Sequence, residues 1–353
     1  MATTAIPTTA ADLTSEWLAG VLDRDVTITT SEPVGVGVGL VGQLHRLHVV
    51  WRDGAGPTTL IAKLAAEGDE SRFVATVLNM YGREHGFYTE LAERTVLAHP
   101  KCWYSAHDVA TQDSALVLED VADRGRQLDQ VLGARLADVG PAIDALATFH
   151  AGWWESPELE RHDWLKRLVD DPYPAAVAMA YSAGWPNVQA MYPELCVGRV
   201  RELGDAYADL IPTLFARLSE PPVVLSHADY RLDNLFLDDE GRPIVVDWQL
   251  IDRSVGPRDL AYLVTQSLEI DDSDDYGRAL DRYVAGLRTA GVEVDDAWAR
   301  QQYRMGTLLG FVYPVIAGGS LTIADPRHIE LVRALLRRCI AALDALDAYE
   351  ASA

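Results

Sequence analysis

Three side chains that could act on a phosphate group lie close together in one part of the chain. Segment 225–236 contains Asp229 and, five residues later, Asn234, while Asp247 follows after thirteen more. A carboxylate such as Asp229 can accept the proton of an attacking hydroxyl group. An amide oxygen and a second carboxylate are hard ligands that suit Mg²⁺ beside a phosphate. The spacing therefore predicts one proton acceptor, Asp229, and two metal ligands, Asn234 and Asp247.

The residues around Asp229 follow the order of kinase catalytic loops. Such loops read His, any residue, Asp, four residues and Asn, and a second Asp follows on a later strand. Here His227 stands two residues before Asp229, and the apolar residues 244–246 precede Asp247. We interpret His227 as structural, because its ring can anchor the loop backbone through hydrogen bonds. The alternative is a polar turn followed by a solvated aspartate.

A lysine stands alone in an apolar, strand-like segment upstream. Lys63 is the one charged residue of segment 60–64, and a buried ammonium group is costly unless it is paired. Glu84, on the next predicted helix, is the expected partner, with Glu90 and Glu93 as alternatives. Such a pair would hold the lysine against the α- and β-phosphates of a nucleotide. The alternative is an edge-strand lysine in solvent.

Two further segments are candidates for nucleotide contacts. The glycines of segment 35–42 predict a hairpin in which the backbone amides of Gly37, Gly39 and Gly42 could approach phosphate oxygens. No Gly-Lys-Ser/Thr follows, so this is not a P-loop, and the glycines could simply form a turn. Glu119 and Val121 lie where strand patterns give way to helical ones, and by position alone they are candidates for main-chain contacts to adenine.

Acidic residues near two predicted helix starts have more than one interpretation. Asp259 lies in the first turn after Pro257, where free backbone amides favour a carboxylate. We predict a structural role for it, as a support of the catalytic loop from behind. Asp271, Asp272, Asp274 and Asp275 could attract an amine-bearing substrate, but the solvated start of a helix is the simpler interpretation.

Length and periodicity indicate two domains. The 353 residues, 49 % of them hydrophobic, suffice for a sizeable core. Residues 1–120 are predicted to form a strand-rich, nucleotide-binding domain and residues 121–353 a mainly helical domain with the catalytic loop and substrate-binding helices. Apolar spacing predicts helices at about 14–22, 71–94, 134–154, 200–218, 276–290 and 326–346.

The net charge of −23 argues against nucleic acid and anionic membranes as partners, since both would be repelled. It is compatible with a cationic substrate, although an acidic surface that maintains solubility explains it more simply. Three scattered cysteines, the absence of a basic and apolar leader, and no apolar run near 20 residues predict a cytoplasmic protein. No pattern predicts an oligomeric state.

Taken together, these residues resemble the aminoglycoside phosphotransferase-like kinases, which include choline kinase and the ecdysteroid kinase-like proteins. The resemblance extends over most of the chain, and the last hundred residues match only as helices. It is carried by the glycine hairpin, Ile61-Ala62-Lys63, Glu84 in Glu-x-x-Phe-Tyr, Leu118-Glu119-Asp120, segment 147–151, the His227 loop and Val246-Asp247-Trp248-Gln249. Ala228 departs from the pattern, because many relatives have glycine there; we expect the added methyl group to be tolerated.

The resemblance implies a fold, two cofactors and an activity. The fold is α+β and two-lobed, of the protein-kinase type, with a small β-rich N-lobe, a larger mainly helical C-lobe, and ATP and Mg²⁺ between them. The activity is transfer of the γ-phosphate to a hydroxyl of a small molecule: an amino sugar or aminoglycoside, an amino alcohol, or a hydroxylated lipid or steroid. Asp229 would be the catalytic base, Asn234 and Asp247 the metal ligands, and Lys63 with Glu84 the phosphate-positioning pair.

Three alternatives to this activity agree less well with the sequence. A catalytically weak, nucleotide-binding regulator is disfavoured because Lys63, Asp229, Asn234 and Asp247 are all intact. A protein kinase would need an Ala-Pro-Glu segment after Asp247 and Phe-Gly beside it, and neither is found. A metal hydrolase would need further ligands near His227 at suitable spacing.

Overall fold

Alternating apolar residues in the first third of the chain form a five-stranded antiparallel sheet. The structure is a computed structural model that describes residues 5–35, 42–269, 272–319 and 326–352. The sheet order is β1-β2-β3-β5-β4. Its strands are β1 Val26–Pro33, β2 Gly42–Trp51, β3 Thr59–Ala65, β4 Cys102–His107 and β5 Ser114–Glu119. The sequence did not predict β4, whose residues are all only partly buried.

Helix α1 (Ser15–Leu22) covers one face of this sheet. Thr14 caps it, since its hydroxyl accepts a hydrogen bond from the Trp17 amide at 3.1 Å. Trp17 and Leu18 pack into one apolar cluster with alternate residues of β3, including Leu60 and Ala62. Complete burial of a leucine such as Leu18 contributes about 1.5–3 kcal/mol. The core of the sheet therefore occupies one face, and intervening residues of β3 project from the other.

The single helix predicted over residues 71–94 is wrong in one respect. The structure has α2 (Asp69–Val77) and α3 (Met80–Gly86), separated at Asn79, and helical turns continue to Arg94. Asn79 has a φ of 50°, which interrupts a right-handed helix. Asparagine adopts this conformation more readily than most residues, but the spacing of apolar residues does not indicate it.

Helices dominate the rest of the described chain. Four begin and end within two residues of the predicted bounds: α4 Leu136–Gly152, α6 Gly198–Arg217, α8 Asp274–Thr289 and α11 Pro326–Ala345. Those not predicted as complete helices are α5 Tyr173–Met191, α7 Pro257–Ser267, α9 Asp296–Leu309 and α10 Val312–Gly319. Helix α5 contains no Asp, Glu, Lys or Arg, so its polar and apolar faces contrast too little to predict a helix.

Two small sheets support the segment with the catalytic candidates. Strand β7 (Val224–Ser226) pairs with β10 (Asp252–Ser254). Strands β8 (Leu235–Leu237) and β9 (Pro243–Val245) form the predicted hairpin, with Phe236 opposite Ile244, and β6 (Arg126–Gln127) adds a third strand. The candidates therefore follow β7 and β9 directly.

The chain folds into two compact units. The first comprises Met1–Arg94 and His99–Arg124, and the second Thr95–Ala98 and Gly125–Ala353. The second has an aromatic-rich core that includes Tyr181, Tyr207 and Phe311. Among the described residues, no helix combines the length and apolarity required to cross a bilayer.

Candidate active site

The lysine and glutamate predicted to pair are in contact in the first unit. The Lys63 Nζ lies 2.9 Å from Oε1 and 2.7 Å from Oε2 of Glu84. Strand β3 buries Leu60, Ala62 and Leu64 on one face, so Lys63 projects from the other, where α3 supplies Glu84. Their side chains are 12 % and 3 % exposed, so the ammonium group is held with little solvent around it.

Gly42 stands beside Lys63 at the start of β2. A Cβ at Gly42 would lie 3.1 Å from the carbonyl oxygen of Leu64 and 3.7 Å from Cε of Lys63. A side chain at this position would therefore press on the neighbouring strand and contact the stem of Lys63. Gly37 and Gly39 lie outside the described residues, so their predicted phosphate contacts stay predictions.

Glu119 and Val121 lie at the end of β5. Glu119 accepts hydrogen bonds from the Lys101 amide at 3.0 Å and from Nη1 of Arg124 at 3.1 and 2.9 Å. Its carboxylate is therefore engaged within the unit. Within the described chain, no residue accepts a hydrogen bond from the Val121 amide, which begins a short 3₁₀ turn after Asp120. Contact of this segment with adenine remains a prediction.

Asp259 supports the loop after β7 in the second unit. Its carboxylate accepts hydrogen bonds from the His227 amide at 2.7 Å, the Ala228 amide at 3.0 Å, Ser226 Oγ at 2.7 Å and His150 Nε2 at 3.3 Å. Burial alone would raise the pKa of Asp259, but the hydrogen bond and charge of His150 and other nearby groups outweigh it and set the pKa at about 2. The carboxylate therefore stays ionised and fixes the loop backbone.

Ala228 occupies a position that favours glycine. Its φ is 65° and its side chain is buried. An alanine in this left-handed region costs about 1–2 kcal/mol more than a glycine. The positive φ shows why glycine is the easier residue between His227 and Asp229, and tolerance of the methyl group stays a prediction.

His227 joins the loop to the strand that precedes Asp247. Its Nδ1 accepts a hydrogen bond from the Asp229 amide at 3.3 Å, and its Nε2 lies 3.2 Å from the Val246 carbonyl oxygen. Burial lowers the pKa of His227 although three nearby aspartates raise it. A neutral ring with the proton on Nε2 satisfies both contacts, so His227 holds the loop in place.

Asn234 fixes the side chain of the predicted catalytic base. Its Nδ2 donates to Oδ2 of Asp229 at 2.7 Å and to the Asp229 carbonyl oxygen at 2.9 Å. Asp229 and Asn234 are 6 % and 5 % exposed. The Asn234 carbonyl oxygen accepts from the Val246 amide at 3.0 Å. The loop therefore holds Asp229 and Asn234 in one orientation and places both near residue 247.

Trp248 anchors Asp247. The indole is fully buried, donates from Nε1 to the Val245 carbonyl at 3.1 Å and packs edge-on against His227 with ring centroids 4.7 Å apart. Asp247 has a φ of 65° and accepts a hydrogen bond from Nε2 of Gln249 at 3.3 Å. The Val-Asp-Trp-Gln motif thus combines a carboxylate, an anchor and a side chain that orients the carboxylate.

Mg²⁺ fits the oxygen atoms that this loop offers. Both hydrogens of the Asn234 amide point at Asp229, so Oδ1 faces elsewhere, and no donor in the described parts of the chain binds it. Together with the Asp247 carboxylate it would offer a metal ion two hard ligands. The described residues contain no group of three or more His, Cys, Asp or Glu suited to a metal. Mg²⁺ bound partly by phosphates and water needs no such group.

Sequence reasoning missed Arg231, although its position in the loop was visible. Its Nε lies 3.1 Å from Oδ1 of Asp229 and its Nη1 2.9 Å from Oδ2 of Asp233. Asp233 is fixed in turn by the Gln130 amide, at 2.8 Å from its Oδ1. A cation thus touches the candidate base directly.

Solved structures share this fold at low sequence identity. A spectinomycin phosphotransferase matches with a TM-score of 0.54 and 14 % identity, over 96 % of this chain and 99 % of its own. A macrolide 2'-phosphotransferase from Brachybacterium faecium has a TM-score of 0.52 and 17 % identity, over 94 % and 96 %. A choline kinase from Cryptosporidium parvum has a TM-score of 0.52 and 10 % identity, over 89 % and 88 %.

These likenesses confirm the predicted two-lobed protein-kinase-like fold, with a small β-rich N-lobe and a larger mainly helical C-lobe. No curated protein matches the chain. The model of the ecdysteroid kinase-like family matches residues 39–290, which confirms the resemblance seen in the motifs. The chain belongs to the ecdysteroid kinase-like family.

Proposed function

We propose that the protein transfers the γ-phosphoryl group of ATP, with Mg²⁺, to a hydroxyl group of a small molecule. In this proposal Asp229 binds the acceptor hydroxyl, and Asn234 and Asp247 hold the metal. Lys63, oriented by Glu84, binds the α- and β-phosphates. Gly37, Gly39 and Gly42 and the main chain at Glu119 and Val121 contribute further nucleotide contacts.

One observation carries the proposal. Asn234 donates both amide hydrogens to Asp229, so a single side chain orients the candidate base and turns a bare oxygen toward a metal. A turn with a purely structural role would not need one side chain both to orient an aspartate and to leave its own amide oxygen available to a metal. Two relatives in fold support the choice of ligands: the spectinomycin phosphotransferase was solved with ADP, and an amicoumacin kinase with AMP-PNP and Ca²⁺.

The loop could perform the transfer as follows. An acceptor hydroxyl beside Asp229 attacks the γ-phosphorus, the bond to the bridging oxygen breaks, and ADP leaves with that electron pair. The hydroxyl proton passes to the Asp229 carboxylate. When bound, Mg²⁺ supplies positive charge against the phosphate oxygens. The hydrogen bond from Asn234 keeps Oδ2 in position, and correct placement supplies much of the rate enhancement in such reactions.

Arg231 adds a positive charge at the point of transfer. Burial disfavours its charged form, but Asp229, Asp233 and Asp247 outweigh burial and raise the pKa of Arg231, so the guanidinium stays charged. We assign it the stabilisation of charge that develops on the transferred group, a role that fixed donors fulfil well in a site poor in water.

An ATP-consumption screen tests the proposal. The screen covers sugars, amino alcohols, aminoglycosides and uncharged alcohols, with the wild-type protein and Asp229→Asn. We expect at least one acceptor to support turnover, and Asp229→Asn to lower kcat by about 10²–10⁴-fold, because an amide cannot accept the proton.

The matched control is Asp209→Asn, which changes an exposed aspartate of α6 and should leave kcat unchanged. Equal turnover by wild type and Asp229→Asn would remove Asp229 from the mechanism. ATP binding without turnover on any acceptor would favour the nucleotide-binding regulator instead.

A further inference from the structure

The side chain of Arg231 bridges two carboxylates of the catalytic loop. Its Nε donates to Oδ1 of Asp229 at 3.1 Å, and its Nη1 donates to Oδ2 of Asp233 at 2.9 Å. Within the described parts of the chain, no oxygen accepts a hydrogen bond from its third nitrogen, Nη2. Arg231 therefore keeps one donor group beside the candidate base that no protein oxygen uses.

This arrangement differs from the usual pairing of arginine with a carboxylate. A planar guanidinium commonly binds both oxygens of one carboxylate through two parallel hydrogen bonds. Arg282 does so with Asp144, through Nε and Nη2. Arg231 instead divides its donors between Asp229 and Asp233. The usual geometry would place Nη2 on Asp229 as well and leave that nitrogen unavailable to any other group.

Two neighbouring side chains oppose the usual pairing at Asp229. Asn234 donates to Oδ2 of Asp229 at 2.7 Å, so the second oxygen of the candidate base already has a donor. Asp233 holds Nη1 of Arg231 on the other side. Because the guanidinium is rigid and planar, the hydrogen bond at Nη1 restricts the direction in which Nη2 points. The orientation of Arg231 therefore depends on Asp233.

Asp233 is itself held by residues from outside the loop. Its Oδ1 accepts a hydrogen bond from the Gln130 amide at 2.8 Å, and its carbonyl oxygen accepts one from Nε2 of Gln127 at 2.7 Å. Its side chain is only 9 % exposed. The segment that begins at β6 therefore determines the position of the Asp233 carboxylate and, through it, that of the Arg231 guanidinium.

Gln130 is anchored in turn to α7 and α11. The residue is fully buried, its Oε1 accepts from the Leu232 amide at 2.8 Å, and its Nε2 donates to the Gln266 carbonyl oxygen at 2.7 Å. Nη1 of Arg338, on α11, donates to the Gln130 carbonyl oxygen at 2.6 Å. These contacts fix the backbone of Gln130 on both sides of its side chain. Asp233 thus receives its hydrogen bond from a well-anchored amide.

We propose that Asp233 is a positioning residue for phosphoryl transfer and that it acts through Arg231. This inference rests on the proposed function and adds a residue to it. Asp233 keeps Nη1 away from Asp229, so Nη2 stays directed at the oxygens of the transferred phosphoryl group and Asp229 keeps room for the acceptor hydroxyl. Asp233 itself neither bonds to the phosphoryl group nor takes the hydroxyl proton, which passes to Asp229.

A double-mutant cycle on kcat tests the inference, with the acceptor that gives the highest turnover in the ATP-consumption screen. Asp233→Asn removes the charge that holds Nη1 and should lower kcat by about 10–100-fold, since a misplacement of about 1 Å costs up to about 10²-fold. The KM for ATP should stay within about threefold. In the Arg231→Gln background, Asp233→Asn should lower kcat by no more than about twofold further, because the residue through which it acts is already lost.

Two further variants separate positioning of Arg231 from support of the loop. Asp233→Glu keeps a negative charge for Arg231 and should retain more of kcat than Asp233→Asn; it replaces Asp233→Asn in the cycle if urea denaturation shows that Asp233→Asn is unfolded. Gln127→Ala is the matched control, because it removes the hydrogen bond to the Asp233 carbonyl oxygen but not the contacts of the Asp233 carboxylate. Any loss of kcat in Gln127→Ala should be equally large in the Arg231→Gln background.

The outcomes separate this inference from the proposed function. A loss of kcat from Asp233→Asn that occurs only when Arg231 is present would support the positioning role. An equal loss with and without Arg231, or a raised KM for ATP at constant kcat, would overturn that role and leave the phosphotransferase activity intact. Absence of wild-type turnover on every acceptor would overturn both.

Discussion

Arg231 bonds to two carboxylates of its own loop, and one of them is the candidate base. The Arg231 guanidinium, 3.1 Å from Asp229, supplies positive charge where a phosphoryl group would pass. In phosphoryl transfer the transition state is largely dissociative, so charge stabilisation and placement matter more than base strength. Arg231 therefore suits the proposed reaction better than a hydrolysis that requires a strong base.

Replacement of Arg231 tests this role. Arg231→Gln should lower kcat by about 10²–10³-fold and leave the KM for ATP within about threefold, since the lost contact belongs to the transition state. Arg231→Lys should restore part of kcat, because it keeps the charge but not the planar geometry. Steady-state kinetics with Arg242→Gln, an exposed arginine paired with Asp238, provide the control. A rise in KM at constant kcat would contradict the assignment.

Among single residues, the sequence indicated those that lie close to one another along the chain. Asp229, Asn234 and Asp247 were recognisable because one loop and one hairpin determine their positions. Arg231 was visible in the loop, but sequence cannot indicate that its side chain turns back toward Asp229.

At the scale of elements, helix α7 supports the catalytic loop through one buried side chain. Asp259 accepts hydrogen bonds from two loop amides, Ser226 and His150, and it is completely buried. The sequence located Asp259 and suggested support of the loop, because a carboxylate in a first helical turn is a recognisable pattern. It could not identify His150, which lies on α4, as a partner.

Substitution of Asp259 should destabilise the protein by more than the loss of one hydrogen bond would, because four groups donate to its carboxylate. Asp259→Asn replaces one acceptor oxygen with a donor that faces loop amides. We expect the free energy of unfolding to fall by about 3–5 kcal/mol. Urea denaturation measures it, and Asp144→Asn, which disrupts the exposed pair with Arg282, should cost no more than about 1 kcal/mol.

The effect of Asp259 should depend on pH. Its folded-state pKa, about 2, lies below the ordinary value of 3.8, so its contribution is complete above pH 3.8 and is lost as the pH falls through about 2. The difference in unfolding free energy between the wild type and Asp259→Asn should therefore shrink over this range. A difference that is constant from pH 5 to pH 2 would contradict the assigned ionisation.

Elements with regular apolar spacing were predicted well, and those with local interruptions were not. Helices α4, α6, α8 and α11 keep a regular apolar spacing, although α4 and α6 contain the internal prolines Pro141 and Pro212. Helix α5 has no charged residue to mark a polar face, and the helical segment after residue 68 is interrupted by the positive φ of Asn79. Such interruptions depend on contacts that stabilise them in the folded chain.

At the scale of the whole molecule, the candidate residues are divided between two units. Lys63 and Glu84 belong to the first, and Asp229, Asn234 and Asp247 to the second. Each group makes its contacts within its own unit. That both groups bind one nucleotide is our proposal, and it is based on the spacing of the motifs in the sequence.

Calorimetric titration with AMP-PNP, a non-hydrolysable ATP analogue, tests this claim most directly. It compares the wild type, Lys63→Ala and Asp247→Asn, with Mg²⁺ and with EDTA, and Lys101→Ala, an exposed lysine of the first unit, as control. We expect Mg²⁺-dependent binding that either substitution weakens by at least about tenfold. Equal binding in all variants with and without Mg²⁺, or no binding by the wild type, would contradict it.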